Sequence, residues 1–335
     1  MKQVIMPQAQ LRRGAIAAII ALLVAACGRS APPEASQTPT PEATEAPELV
    51  YRNINLTETD NDGRVLWKLE ADVAEYEQDG FEAALQAVRG ELFNPEGQAV
   101  TVNATSGRVL PREKRLELSG DVEAEAEPLD IALSADLIEW LPEESRLAAI
   151  GNVTVRQVER QIEMTGDRLD ADLSTNQMRL SLVPPETAAT ADATETPAKP
   201  AAIRVTAVDP PLDLQTQVLE WDTVGEVVNG SGGVQIDHRE QKLKFLSETF
   251  TYQIANQTAT LVGKVRATAS NQAQLDADRV EWEVSRAIAV ATGNVHYRQP
   301  GEQNLSVRGQ KGTADLRANT IALEGSQVTT QFTLP

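Results

Sequence analysis

A repeat of about 31 residues runs through most of the chain, and it restricts the possible folds more than any other sequence feature. Each clear copy contains a leucine, an apolar residue five positions later, a Glu-Trp pair, a glycine eleven positions after the tryptophan and a valine two positions after that glycine. Copies that align without gaps cover residues 133–153, 214–234 and 275–295. Three of the four tryptophans therefore share one position of the repeat. Self-similarity with this period predicts a stacked array in which each unit contacts its neighbours.

Within the copies, apolar and polar residues alternate, which is the period of a β-strand with one buried face. Residues 115–126 follow this alternation strictly. The alternation changes phase between Ala135 and Ile138, and a β-bulge or sharp bend there would return both sets of apolar residues to one side. The glycine of the repeat suits a strand position where a side chain would obstruct a bend or a neighbour. The pattern therefore predicts an all-β fold made of bent strands.

The spacing of the copies has one irregularity. Successive copies begin about 31 residues apart, except that the copy beginning at Leu214 follows the one beginning at Met164 by 50 residues. Residues 184–202 account for the difference, and they contain no Val, Ile, Leu or aromatic residue. Such a segment cannot bury apolar surface, so we expect a disordered insertion. It divides the β-repeat body into residues 49–183 and 203–335.

The N-terminus has the features of a lipoprotein signal peptide. Basic residues precede an uncharged, mostly apolar run over residues 14–26. This run of 13 residues is short for a permanent membrane helix, which needs roughly 20. Cys27 follows it and is the only cysteine of the chain. Val24-Ala25-Ala26-Cys27 resembles a bacterial lipobox and predicts that residues 1–27 form a signal peptide ending at a lipidated Cys27. An ordinary secretory signal with an incidental cysteine is the alternative.

Residues 28–48 contain many Pro, Ala, Thr and Glu residues and no Val, Ile, Leu or aromatic residue. We expect a disordered tether there, which would let the β-repeat body stand away from the membrane.

Charge and residue inventory exclude several classes of function. The 30 Lys and Arg residues against 49 Asp and Glu residues leave a net charge of -19, which argues against a nucleic-acid partner. One cysteine and two histidines supply neither a metal cluster nor a histidine-driven catalytic site, and His238 and His296 are interpreted as surface residues. Glu139, Glu220 and Glu281 recur with the repeat, so they are interpreted as solvated strand positions rather than a glycosidase pair. We expect a protein that is not an enzyme and has no metal or cofactor.

The repeat resembles the OstA-type repeat of the lipopolysaccharide transport system. The resemblance rests on Ala135-Asp136, Glu139-Trp140 and Gly151-Asn152-Val153, and on the equivalent residues between Ala277 and Val295. Residues 63–72, 87–93 and 97–107 resemble the opening of the LptC family, and the similarity to LptC extends over residues 49–183. Residues 203–335 continue with an OstA/LptA-like repeat. The chain departs from the best-known family members in carrying a lipobox instead of an uncleaved transmembrane helix.

This resemblance implies an elongated, twisted antiparallel β-jellyroll with an open, V-shaped groove between two sheets. It also implies a non-enzymatic periplasmic carrier that accepts lipopolysaccharide from an inner-membrane ABC transporter and passes it along the hydrophobic groove towards the outer membrane. The implied partners are the acyl chains of lipopolysaccharide, that transporter, and an LptA-like bridge protein bound by edge-strand pairing. The expected location is the periplasm, with a lipid anchor in the inner membrane at its periplasmic face.

On this interpretation, the inward side chains of the strands line the groove. The predicted lining residues are Leu116, Leu118, Val122, Leu147, Val153, Val155, Leu261, Val265 and Val295. Trp140, Trp221 and Trp282 are interpreted as packing residues at the bends rather than as ligand-stacking residues. Two alternatives stay open at this point. One is a membrane-tethered β-repeat scaffold or adaptor lipoprotein with a filled core and no lipid ligand, and the other is a parallel β-helix acting on polysaccharide.

Overall fold

The structure is a computed structural model. It describes residues 49–76, 82–94, 97–182, 202–301, 304–318, 320–325 and 329–333. The predicted signal peptide with Cys27, the predicted tether, and the predicted insertion up to residue 201 lie outside these ranges. Within them, no helix is both long enough and apolar enough to cross a membrane.

The described ranges contain twenty strands that belong to one sheet, and every pairing is antiparallel. The strands are β1 Leu49–Thr59, β2 Val65–Tyr76, β3 Ala83–Phe93, β4 Ala99–Leu110, β5 Arg115–Ala126, β6 Ile131–Leu141, β7 Arg146–Gln157, β8 Ile162–Asp172, β9 Gln177–Ser181, β10 Ile203–Ala207, β11 Leu212–Thr216, β12 Val218–Asp222, β13 Val227–His238, β14 Leu243–Gln253, β15 Thr258–Ala269, β16 Gln274–Glu283, β17 Ile288–Gln299, β18 Asn304–Asp315, β19 Thr320–Glu324 and β20 Thr329–Thr333. Two single-turn 3-10 helices, Glu127–Leu129 and Pro142–Glu144, lie in the turns that flank β6.

Consecutive strands pair with each other along almost the whole sheet. Three pairs of short strands each take the place of one long strand: β9 with β10, β11 with β12, and β19 with β20. For example, β8 pairs through residues 168–172 with β9 and through residues 162–165 with β10. The predicted insertion therefore falls between β9 and β10, which together take the place of one long strand. The pairing order continues unchanged from β8 to β13.

The long strands bend near their middles. In β6 the register shifts between Ser134 and Leu137, and the apolar residues of both phases are buried, Leu133 and Ala135 in the first and Ile138 and Trp140 in the second. The bulge predicted from the phase change is therefore confirmed. The glycine of the repeat lies at the bend of the neighbouring strand, where Gly151 and Asn152 both have positive φ, 79° and 47°. Glycine adopts this conformation without steric cost, and asparagine tolerates it better than most residues.

The bend divides the sheet into two limbs. We call limb A the half of each strand that lies on the same side of the bend as residues 131–135 of β6, and limb B the half on the side of residues 137–141. The limbs fold towards each other, because Trp282 of limb B stacks on Phe245 of limb A with ring centroids 5.1 Å apart. The apolar core lies between the limbs. The predicted all-β, two-layered antiparallel fold is thus confirmed.

Two details of the sequence interpretation are wrong. His238 is not a surface residue, since it is 4% exposed and its ring lies 5.5 Å from the Trp282 ring. The three tryptophans of the repeat are buried packing residues, but they do not lie at the bends. Trp140 follows the register shift of β6 by three residues, close to the turn into β7. The alternation of apolar and polar residues along a strand predicts which side of the sheet a residue faces, but not which residues of the opposite limb it contacts.

Candidate functional site

All nine residues predicted to line a groove face the inside of the sheet and are buried. Leu116, Leu118 and Val122 are completely covered by neighbouring side chains, and Leu147 lines a cavity of 70 Å³ between limb A of β4 to β6 and limb B of β7 to β9. The space between the limbs is therefore filled by these inward apolar side chains at several strands. The role of these nine residues as groove lining stays a prediction.

A larger cavity, which we call the central cavity, lies between the limbs near the middle of the sheet and has a volume of 710 Å³. This falls in the range of small-ligand pockets, about 300–1,000 Å³. Apolar residues of both limbs form most of its wall. From limb A these are Ile162, Met164, Val205, Ala207, Leu212 and Leu214, and from limb B they are Leu219, Trp221, Val228, Phe250 and Tyr252.

The central cavity was not predicted from the sequence, although two positions of the repeat carry a signal for it. Trp282 is fully buried because Phe245 stacks on it. Met164 holds the repeat position that Phe245 holds two repeats and one insertion later. Met164 and Trp221 both line the cavity. A flat ring therefore fills the space beside Trp282, whereas the space beside Trp221 stays partly open.

Polar residues are concentrated at the mouth of the central cavity. Arg160, in the turn between β7 and β8, donates from Nη2 to Oε1 of Glu226, in the turn between β12 and β13, at 2.7 Å. The first turn belongs to limb A and the second to limb B, so this ion pair spans the mouth. Burial raises the pKa of Tyr252 in the wall, and the charge of Arg160 acts in the opposite direction.

Another cavity near the start of the sheet has a different character. It has a volume of 680 Å³ and lies between the turn at residues 60–64 and the turn at Pro142 and Glu143. Asp60, Asp62 and Arg64 are among its lining residues. Its charged wall suits hydrocarbon poorly, because burying an ionised group against an apolar chain costs several kcal/mol. The central cavity is therefore the better candidate for an apolar ligand.

The described residues show no arrangement typical of catalysis at the repeated glutamates. Glu220 forms an ion pair with Arg179, and Glu281 forms one with Arg279 at 2.6 Å; both glutamates are exposed. In the part of the chain that the structure describes, no three His, Cys, Asp or Glu side chains come together in a way that could hold a metal ion.

Comparison with known proteins gave one family match and a similar solved structure. Over 38% of this chain and 96% of the other, the structure is similar to the crystal structure of LptH, the LptA-homologous periplasmic component of the lipopolysaccharide transport device of Pseudomonas aeruginosa, with 17% sequence identity and a TM-score of 0.32. No curated protein matches the chain. The family model described as lipopolysaccharide-assembly, LptC-related, matches residues 14–182, which is just over half of the 335 residues. The chain therefore belongs to the LptC-related family of lipopolysaccharide-assembly proteins.

Proposed function

We propose that this protein is a non-enzymatic periplasmic carrier that accepts lipopolysaccharide from an inner-membrane ABC transporter and passes it along the space between the two limbs towards the outer membrane. The observation that carries the proposal is the central cavity, whose wall is mostly aliphatic and aromatic. Each buried methylene of an acyl chain contributes about 0.8 kcal/mol, so an apolar cavity can hold a lipid without a dedicated polar site.

Passage of a lipid requires the limbs to separate where the core is closed. The strand pairings run between neighbouring strands, and within each limb they continue from one strand to the next. Contacts such as that between Trp282 and Phe245 join the two limbs through side chains. Separation at such a contact would break apolar packing and leave the ladder of backbone hydrogen bonds in place. Movement of a lipid past a part of the sheet where side chains fill the space between the limbs is therefore compatible with this fold.

The ends of the sheet suit the proposed partners. In the described ranges β1 pairs with β2 alone, so its other edge is available for strand pairing, and Leu49, Val50 and Tyr51 of β1 are exposed. At the other end, β19 and β20 pair with β18. An LptA-like bridge protein would extend the sheet through one of these edges. A lipid on Cys27 would hold the chain at the periplasmic face of the inner membrane.

A filled scaffold without a lipid ligand is the second candidate, and the complete burial of Leu116, Leu118, Ile138 and Trp140 favours it. Photo-crosslinking in cells separates the two. A photoreactive amino acid at Leu214 or Val228 would face the central cavity, one at Leu118 would face the closed core, and one at Val262 would lie on the exposed surface as a control.

The carrier predicts lipopolysaccharide adducts at Leu214 and Val228, adducts at Leu118 that require an active transporter, and none at Val262. Adducts at no inward position, in a chain of normal abundance, would refute the carrier and leave the scaffold.

A further inference from the structure

The turns around the mouth of the central cavity expose an unusual amount of apolar surface. Eight large apolar side chains are exposed in the described ranges, and three of them are at this mouth. They are Val158 between β7 and β8, Val208 between β10 and β11, and Val224 between β12 and β13, with exposed fractions of 62%, 53% and 70%. Each is one or two residues from a residue that lines the cavity. These turn tips therefore offer apolar side chains at the entrance to an apolar cavity.

Arg160 is the one basic residue among the residues that line the central cavity, beside the acidic Glu159, Asp209 and Glu226. Its side chain is 41% exposed and that of its partner Glu226 is 37% exposed. The mouth therefore combines apolar turn tips with the guanidinium of Arg160 in a protein whose net charge is -19. A second guanidinium nearby, that of Arg239, donates to the backbone carbonyl of Ala207 and to Asp213 and does not line the cavity.

The Arg160–Glu226 ion pair has two conceivable roles, as a clasp that holds the limbs closed or as a pair that a ligand displaces, and its strength decides between them. An exposed ion pair contributes about 0–1 kcal/mol, which is too little to hold the limbs closed. The same weakness makes Glu226 easy to displace. A phosphate group accepts two parallel hydrogen bonds from a guanidinium, and such charge-assisted bonds are roughly twice as strong as neutral ones. Glu226 would then be released into water, where its charge is solvated.

We infer that this mouth is a lateral entrance for a phosphate-bearing amphiphile, with its acyl chains in the central cavity and one phosphate on Arg160 in place of the Glu226 carboxylate. Val158, Val208 and Val224 contact the part of the amphiphile that joins its phosphorylated head to its chains. The inference rests on the proposed carrier function and specifies the ligand and its point of entry. Glu159 and Asp209 repel every anionic group at this mouth, so we expect a phosphate contact only where Arg160 offsets that repulsion, which is a single position.

Equilibrium binding of two probes to the full mature chain tests the inference. The probes are lipid A with its phosphates and the same lipid A after removal of its phosphates. The variants are Arg160→Gln, Glu226→Gln and, as a matched control, Arg156→Gln. Arg156 is an exposed arginine of β7 that pairs with Glu163 at 2.8 Å and does not line the cavity.

Arg160→Gln should weaken binding of phosphorylated lipid A about tenfold, because charged hydrogen bonds are lost, and leave binding of the dephosphorylated lipid unchanged. Glu226→Gln should strengthen binding of the phosphorylated lipid, because the competing carboxylate is gone. Arg156→Gln should change neither affinity. If Arg160 binds a phosphate, Arg160→Gln lowers the affinity for phosphorylated lipid A and Glu226→Gln raises it. If the ion pair only clasps the limbs together, both variants change the affinity in the same direction.

Changes of the same sign and size in the affinity for phosphorylated lipid A, in Arg160→Gln and Glu226→Gln, would overturn the inference. So would binding of inorganic phosphate to the parent chain as tightly as phosphorylated lipid A, since Arg160 would then be a site for free phosphate. If both lipids bind the parent chain equally and Arg160→Gln changes neither affinity, the inference is wrong and the carrier function stands. If neither lipid binds the parent chain and no cross-links form in the cavity, the carrier function fails.

Discussion

The side chain of Asn152 donates a hydrogen bond from Nδ2 to Oδ2 of Asp136 at 2.9 Å, across the bends of β7 and β6. Across the bends of β17 and β16, Asn294 makes the equivalent bond to Asp278 at 2.8 Å. The Ala-Asp and Gly-Asn segments of the repeat are therefore the two sides of one contact at each of these bends. At a third bend, Lys264 and Glu248 replace this contact with an ion pair of 2.8 Å.

The glycine beneath this contact should be intolerant of substitution. Gly151 has a φ of 79°, and an added Cβ would lie 2.3 Å from Oδ2 of Asp136. Gly63 has a similar φ of 80° but nothing within 4 Å of the added atom, so Gly63→Ala is a matched control for backbone strain alone. Gly151→Ala should lower the free energy of unfolding in urea by about 0.5–1.5 kcal/mol more than Gly63→Ala, because the Asp136 carboxylate must move and the hydrogen bond that it accepts from Asn152 is lost. Equal losses would show that backbone strain accounts for the whole effect.

Truncation of two tryptophans at the same repeat position should have unequal effects. Trp282→Ala removes a fully buried ring stacked on Phe245 and should cost about 3–5 kcal/mol of stability. Trp221→Ala should cost less, because that ring already adjoins the central cavity and has fewer atoms to lose contact with. Urea unfolding followed by circular dichroism measures both. An equal cost would indicate that the central cavity is collapsed in solution.

Acid should destabilise the fold through His238. Burial lowers the pKa of His238, Arg239 acts in the same direction and Glu240 opposes it. Its Nδ1 accepts a hydrogen bond from the backbone N–H of Gln241 at 3.2 Å, so the neutral ring is the one that fits. The unfolded chain, with an ordinary histidine pKa of about 6.5, binds the proton more readily than the folded chain does.

The stabilising contribution of neutral His238 is therefore fully present above that pKa and is lost as the pH falls towards the lowered value in the folded state. Unfolding midpoints measured between neutral and mildly acidic pH should fall with acidification. The fall should be smaller in His238→Leu, which cannot titrate. An unchanged slope in that variant would contradict the prediction. His296 contributes to the remaining slope, since burial lowers its pKa as well.

Lipidation at Cys27 is a prediction from the lipobox. Metabolic labelling with radioactive palmitate should label the mature parent chain, and Cys27→Ser should lose the label because serine lacks the thiolate that takes the lipid. A parent chain that is cleaved at this point but carries no label would support an ordinary secretory signal instead.

Much of the fold could be predicted from local patterns. The alternation in residues 115–126 and the phase change between Ala135 and Ile138 depend on which side of a strand each residue faces, and that is set by neighbours in sequence. The glycine of the repeat marked the bends for the same reason, because positive φ is a property of one residue and its immediate neighbours. The burial of all nine inward residues follows from this local geometry.

The amino-acid sequence by itself determined the repeat, the bent antiparallel strands and the side on which the apolar residues lie. Only the tertiary structure decided where the space between the limbs is filled and where it is open, because the twisted sheet brings together residues that are not paired strand to strand. Trp282 meets Phe245 and buries His238, whereas Trp221 faces a cavity beside Met164. Arg160 and Glu226 are 66 residues apart and meet only because the limbs fold over each other.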